Sequence, residues 1–410
     1  MNNTPELLSP AGDLDKMRFG IAYGADAVYM AGTRFGMRAA ATNFDDNALR
    51  EGIAYAHAHG VKCYITVNIM PSNRDLPALP AYLELLQDVG ADALIIADVG
   101  VLRMARRYAP RVPVHISTQT SILNHEAANY WADEGAERIV LARELSLEEI
   151  AEIRAKTPKE LEIEAFIHGA MCISYSGRCL ISQYMTGRDA NHGACAQPCR
   201  WNYSLMEEKR PGQFFPVEED GRGTYLYNSK DMCMIEHVPE LIEAGITSFK
   251  IEGRNKTAYY AACVTGAYRA AIDTYKKDPE NFVLPQFCRD EVNKVSHREY
   301  YTGFYFGNQE NGQHYGDSQY IREYEVVGMP VECDDSGKAV FALKNRFFDG
   351  EELELIQPGQ APYTFCAKNV TDDEGTEREL FNVPQMRVHF AFPFKVSEWA
   401  ILRKVKERPE

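Results

Sequence analysis

At 410 residues the chain is longer than one hydrophobic core usually organises, so a large domain with a smaller companion is expected. Its 45% hydrophobic content supports substantial cores, and a net charge of −15 argues against broad, sequence-independent nucleic-acid binding while leaving room for a local basic groove. The segment Met1-Asn-Asn-Thr-Pro-Glu6 lacks the charged and apolar regions of a signal peptide, and no run approaches the length of a membrane span, so a cytoplasmic protein without membrane contact is expected.

A unit recurs through the first 254 residues: a short β-branched run, a polar residue at its end, an amphipathic helix, then Gly and a new run. The runs are Glu6–Ser9, Ala27–Met30, Lys62–Val67, Ala93–Ala97, Val114–Ser117, Arg138–Ala142, Ile163–Ile167 and Ser248–Ile251. Gly24, Gly90, Gly135 and Gly245 precede four of them, each placed to stop a helix in the left-handed conformation. Continuous apolar strands suit a parallel sheet covered on both faces. Eight such units predict an α/β fold, a (β/α)8 TIM-barrel-like domain, over a doubly wound sheet, because no G-x-G-x-x-G follows the first strand.

The seventh connection, residues 169–247, is abnormally long and is expected to be functional. Within it, Trp201–Met206 and Thr224–Asn228 read as a hairpin around the polar stretch Glu207–Gly223, with helix resuming at Met234–Ala244 and Cys233 opening it. A long helix is predicted over Tyr259–Lys277, completing a first domain at 1–288. An irregular aromatic connector at 289–318 follows. Alternating runs with turn signals then predict a small C-terminal antiparallel β-barrel domain over 319–410.

Five of the ten cysteines, Cys172, Cys179, Cys195, Cys199 and Cys233, fall in that long connection. Grouped thiolates are soft ligands, suited to zinc or an iron–sulfur cluster. The spacing C-x6-C-x15-C-x3-C lacks the C-x2-C knuckles that structural zinc prefers, and is easier to reconcile with a cluster held by one extended loop. Four thiolates suffice, so either Cys199 or Cys233 completes the set.

In a (β/α)8 barrel, chemistry gathers at the C-terminal strand ends. Those ends carry Arg34 and Arg38, Asn68, Asp98, Gln119, Arg143, His168, and Glu252 with Arg254, while Lys250 lies within the last strand. Cations facing one cavity suit a carboxylate-bearing ligand; mutual pairing is the plain alternative. His168 and Glu164 are the candidate catalytic residues. His168 could exchange protons or donate a hydrogen bond to a ligand sulfur, against the alternative of a buried, satisfied histidine. No H-E-x-x-H, G-x-S-x-G, P-loop or C-x3-C-x2-C is present.

The run Glu164-x-Phe166-x-x-Gly169-Ala170-Met171-Cys172-x4-Gly177-x-Cys179-x-Ile181-Ser182 resembles the defining pattern of peptidase family U32, the collagenase-like peptidases. Leu7-Leu-Ser-Pro-Ala-Gly12, Gly24-Ala-Asp-Ala-Val-Tyr29 and Phe249-Lys-Ile-Glu-Gly-Arg254 are similar to that family too. Cys195-Ala-Gln-Pro-Cys199-Arg200, Asn228-Ser-Lys-Asp231 and Ser296-His-Arg298 resemble its branch that makes 5-hydroxyuridine at the tRNA wobble position. The resemblance implies a [4Fe–4S] cluster and oxygen-independent hydroxylation with prephenate as hydroxyl donor. It also implies tRNA as substrate, with an identical or paralogous subunit as a possible partner. Prephenate is a dicarboxylate, and Arg38, Lys250 and Arg254 are of the type that holds one. The other readings are a peptidase of unassigned catalytic type and a non-catalytic, metal-stapled assembly module.

Overall fold

The β-branched runs become strands because both of their faces are covered, by helices outside and by packed side chains within. The computed structural model describes residues 4–37, 42–172, 174–175, 178–203, 205–206, 214–215, 219–220, 223–225, 230–307 and 320–406. Its first seven strands are β1 (Glu6–Pro10), β2 (Ala27–Met30), β3 (Lys62–Val67), β4 (Ala93–Ile96), β5 (Val114–Ile116), β6 (Arg138–Val140) and β7 (Glu162–Ala170). The first six lead into α1 (Leu14–Ala22), α2 (Asp46–Ala58), α3 (Leu79–Asp88), α4 (Val99–Tyr108), α5 (His125–Asp133) and α6 (Leu147–Ala155).

The connection after β7 contains α7 (Ile181–Thr186) and five short strands: β8 (Asn202–Tyr203), β9 (Leu205–Met206), β10 (Phe214–Phe215), β11 (Glu219–Asp220) and β12 (Gly223–Tyr225). Thr224 and Tyr225 of β12 pair antiparallel with Tyr203 and Asn202 of β8, as the expected hairpin requires. The chain returns through β13 (Asp231–Cys233) and α8 (Val238–Glu243) to β14 (Ser248–Ile251). Cys233 therefore ends a strand instead of opening a helix: β13 lies antiparallel to the extended end of β7, with Asp231 opposite Ala170.

Strands β1 to β7 pair in sequence and in parallel, and β14 joins both β1 and β7, closing an eight-stranded barrel. Gly24, Gly90, Gly135 and Gly245 all have positive φ, the helix-stopping conformation their positions imply. Leu7, Val28, Ile65, Ile96, Ile116 and Phe249 point outward into the main core under the helices. A smaller set, including Leu8, Tyr29, Tyr64 and Ile95, fills the barrel interior.

Beyond β14 come α9 (Ala258–Lys277), α10 (Gln286–Asn293) and β15 (Tyr300–Tyr301), so a helix crosses the expected start of an irregular connector at 289. The remaining strands are β16 (Tyr324–Cys333), β17 (Lys338–Leu343), β18 (Phe347–Phe348), β19 (Glu352–Ile356), β20 (Tyr363–Cys366), β21 (Thr371–Asp372), β22 (Leu380–Phe381), β23 (Arg387–Ala391) and β24 (Ile401–Val405). Seven of them form one antiparallel sheet in the order β20-β19-β24-β16-β17-β23-β21, a half-barrel over its own apolar cluster. Arg403, fully buried, fixes this sheet to the barrel: it donates to Glu291 at 2.7 Å and to Glu354 at 2.8 Å. Trp399 adds an edge-on contact with Phe19 of α1. Among the described residues, no helix is long and apolar enough to cross a membrane.

Candidate functional site

Charged side chains begin stacking at the bottom of the barrel. Arg138, 2% exposed, donates to Glu6 at 2.6 Å, to Ser248 at 3.1 Å and to Glu164 at 3.1 Å. The other oxygen of Glu164 accepts from Lys250 at 2.5 Å. Glu164 thus lies beneath the strand ends with both oxygens engaged. Burial pushes the Lys250 ammonium below its ordinary range, and Glu164 partly offsets that. The same ammonium sits 4.5 Å above the ring of Tyr29.

Above this stack lies a polar pocket of about 90 Å³ at the C-terminal strand ends. Its walls bring together Asn68, Gln119, Arg143, Lys250, Glu252 and Arg254, six of the residues the barrel alignment singles out. Asn68 donates to Gln119 at 2.8 Å, and Arg254 reaches Thr66 at 3.5 Å. Arg143, 7% exposed, donates from Nη1 to the Ala170 carbonyl at 3.2 Å, while its buried Nε has no hydrogen-bond partner among the described residues. Two close backbone approaches shape this rim. Gly169 has φ +108°, and a Cβ there would meet the Glu252 carbonyl at 2.5 Å; a Cβ on Gly12 would collide with the Arg254 carbonyl.

Arg143, Glu252 and Met37 also line a second, larger cavity of about 860 Å³, so the two spaces adjoin. The same cavity is lined by Cys172, Cys179, Cys195 and Cys199. The Ile181 N–H donates to Cys179 Sγ and the Gln197 N–H to Cys195 Sγ, each at 3.3 Å. Such amide donors to sulfur recur around iron–sulfur ligands. Ser182 accepts from the Ala196 N–H at 3.0 Å and ties the two cysteine turns together. Among the described residues, no three His, Cys, Asp or Glu side chains converge as ligands of a single metal ion. In a cubane cluster each thiolate takes a separate iron, so four thiols spread around one cavity fit that donor set in number and chemistry.

Cys233 stands apart from this wall. Burial pushes its thiol up to about 12, and it lies opposite His168 in the β13–β7 ladder. His168 also faces away from both cavities. A bulge between Lys250 and Ile251 sets it opposite Ile251, an outward-facing residue, and its ring contacts Tyr260, Tyr268 and Tyr300. Its nitrogens lie 3.4 Å from the Tyr268 hydroxyl and 3.3 Å from that of Tyr300. Burial, with His297 and Lys256 nearby, lowers its pKa to about 3, so the ring is neutral.

Two other strand-end residues are spent locally. Asp98 caps α4 by accepting from Val101 at 3.0 Å, and Arg34 pairs with Asp46 at 3.0 Å. Arg38 lies outside the described residues. Sequence reasoning passed over the residues that the C-terminal sheet brings to the large cavity, Tyr324, Glu325, Lys344 and Lys406. Only the tertiary docking of the sheet places them there.

The family model described as peptidase family U32 matches residues 12–315, and that of the peptidase family U32 C-terminal domain matches residues 322–403. The chain is 39% identical over 404 residues to tRNA hydroxylation protein P1 of Bacillus subtilis, covering 98% of this chain and 95% of that one. It is 37% identical to tRNA hydroxylation protein P of Escherichia coli, over 90% of each chain. The 23S rRNA 5-hydroxycytidine C2501 synthase of Escherichia coli is 40% identical over 80% of this chain and 48% of its own.

Proposed function

Since the chain belongs to peptidase family U32, we propose that it is an RNA-modifying enzyme that hydroxylates C5 of the wobble uridine of tRNA. The relatives named for tRNA hydroxylation and for rRNA hydroxycytidine synthesis support the RNA-hydroxylase class. The observation that carries the finer reading is the adjoining of two spaces. One is a cationic pocket at the barrel mouth; the other is a cavity walled by four thiols and large enough for a nucleotide.

In this reading Cys172, Cys179, Cys195 and Cys199 hold a [4Fe–4S] cluster, and Cys233 stays a buried thiol. When bound, such a cluster supplies iron able to polarise an oxygen or pass electrons. Prephenate, as hydroxyl donor, presents its carboxylates to Lys250, Arg254 and Arg143, with Arg38 as a further candidate. Glu164 acts as a positioning residue, fixing the Lys250 ammonium at 2.5 Å. Asn68 and Gln119, joined by a 2.8 Å hydrogen bond, supply neutral polar groups on the opposite side of the same lining.

The peptidase reading needs a nucleophile activated by a nearby base. His168 is turned to the outer face of the barrel, away from the thiols, and His192 is engaged with Asp189 at 2.7 Å. Nucleoside mass spectrometry of tRNA from a strain lacking this gene tests the proposal. Loss of 5-hydroxyuridine, restored by the intact gene, is the expected result, and an unchanged level removes the reading.

A further inference from the structure

We infer that the cleft between the barrel mouth and the C-terminal sheet is a binding groove for a single-stranded RNA loop, with the half-barrel domain as its phosphate-contacting wall. The inference rests on the proposed RNA substrate and assigns the surface that receives it.

Charge points there first. The chain as a whole carries 44 basic against 59 acidic side chains. The large cavity reverses that balance: Arg143, Lys256, Arg322, Lys344 and Lys406 line it, five cations against two carboxylates, Glu252 and Glu325. A local cationic trough in an anionic protein concentrates polyanions at that place and repels them elsewhere.

Shape and continuity agree with this. A second space of about 500 Å³ shares Glu325, Lys344, Asn345 and Lys406 with the first and adds Arg346. The two make one path leading from the exposed face of the sheet down to the thiols. Lys344 and Lys406 are exposed, and neither forms an ion pair among the described residues. By contrast, Lys404, two positions before Lys406, is held by Glu351 at 2.9 Å. The charges at the lip of the path are thus presented to solvent while the neighbouring one is neutralised.

The inner wall is aromatic as well as cationic. Tyr320 and Tyr324 line the cavity, and Lys256 lies 4.4 Å and Arg322 5.8 Å from the Tyr320 ring. Cations along a track with aromatic rings at its inner end form the usual surface for unpaired nucleotides. The thiols are half-buried in the lining of a concavity, not on a flat surface that a paired helix could lie against. A nucleotide that can be splayed out of a loop would reach them.

The test uses the full-length protein and a fluorescent anticodon stem–loop RNA with uridine at the wobble position. A fully paired duplex of the same length is the comparison. Lys344→Glu with Lys406→Glu is expected to weaken stem–loop binding at least about tenfold and to flatten its salt dependence by about one unit of slope per lysine. Lys344→Ala with Lys406→Ala, which adds no new charge, is expected to give a smaller loss in the same direction. Lys276→Glu at the opposite end of the barrel should change nothing. Stem–loop affinity within twofold of the unmodified protein in the double variants, or duplex bound as tightly as the loop, overturns the inference. Such a result would leave the hydroxylase reading standing, because that reading fails only if 5-hydroxyuridine persists in the deletion strain.

Discussion

Glu164 and Lys250 meet inside the barrel at 2.5 Å, with side chains 0% and 6% exposed. The pair joins the structural stack around Arg138 to the pocket above it, so it would link stability to binding of the proposed donor. Glu164→Gln leaves a buried ammonium without its carboxylate and is expected to cost about 3–5 kcal/mol of unfolding free energy. Adding Lys250→Met should restore part of that stability while abolishing donor binding. Urea denaturation with donor titration reads both quantities, and a double variant no more stable than Glu164→Gln alone would refute the coupling.

The thiol assignment separates Cys199 from Cys233. Cys179→Ala and Cys199→Ala, purified anaerobically, are expected to lose most iron, sulfide and visible absorbance, and to lose solubility as the loop loosens. Cys233→Ala should keep all three, since its thiol lies in the β13–β7 ladder and not on the cavity wall. Full iron and sulfide in the Cys179 variant would end the assignment.

Arg143 borders both spaces, with a buried Nε that has no hydrogen-bond partner among the described residues. Arg143→Gln is expected to weaken donor binding about tenfold to a hundredfold, the range that loss of a charged hydrogen bond of ~1.5–3 kcal/mol gives. Lys should rescue poorly, because it lacks the planar fork. Isothermal titration with prephenate measures this, and unchanged affinity would remove Arg143 from the pocket's function.

His168 sets a pH dependence. Its ring takes a proton only near pH 3 in the folded protein and near 6.5 when unfolded. Between those values the unfolded chain binds more protons, so stability falls as pH drops below about 6.5 and is unaffected by this group above it. The loss should reach about 2 kcal/mol by pH 5. Thermal melts between pH 4.5 and 7.5 should fall more steeply for the native protein than for His168→Gln, and parallel curves would contradict the buried neutral ring.

What the sequence disclosed and what it hid divide along a physical line. Strand runs and helix stops are local, so all eight barrel strands and the left-handed Gly24, Gly90, Gly135 and Gly245 could be placed from the text. Side-chain direction is less local. Counting by twos along β7 from Glu164 and Phe166 puts His168 inside the barrel, and one bulge opposite Lys250 and Ile251 turns it outward. Cys233 reads as opening a helix because the strand that claims it is three residues long and forms through distant pairing with β7 and β15. The residues Lys344 and Lys406 carried no signal, being ordinary surface lysines until the sheet docks through Arg403.

The ladder between β7 and β13 also bears on how this protein can change over time. The chain leaves the barrel at Ala170 and re-enters opposite it at Asp231, so the excursion begins and ends on a single rung. The cost of closing such an excursion grows only slowly with its length. Its contents can therefore be lengthened, trimmed or refurnished between descendants without shifting one barrel strand against another. The reactive cassette and the chassis that carries it are free to drift at separate rates.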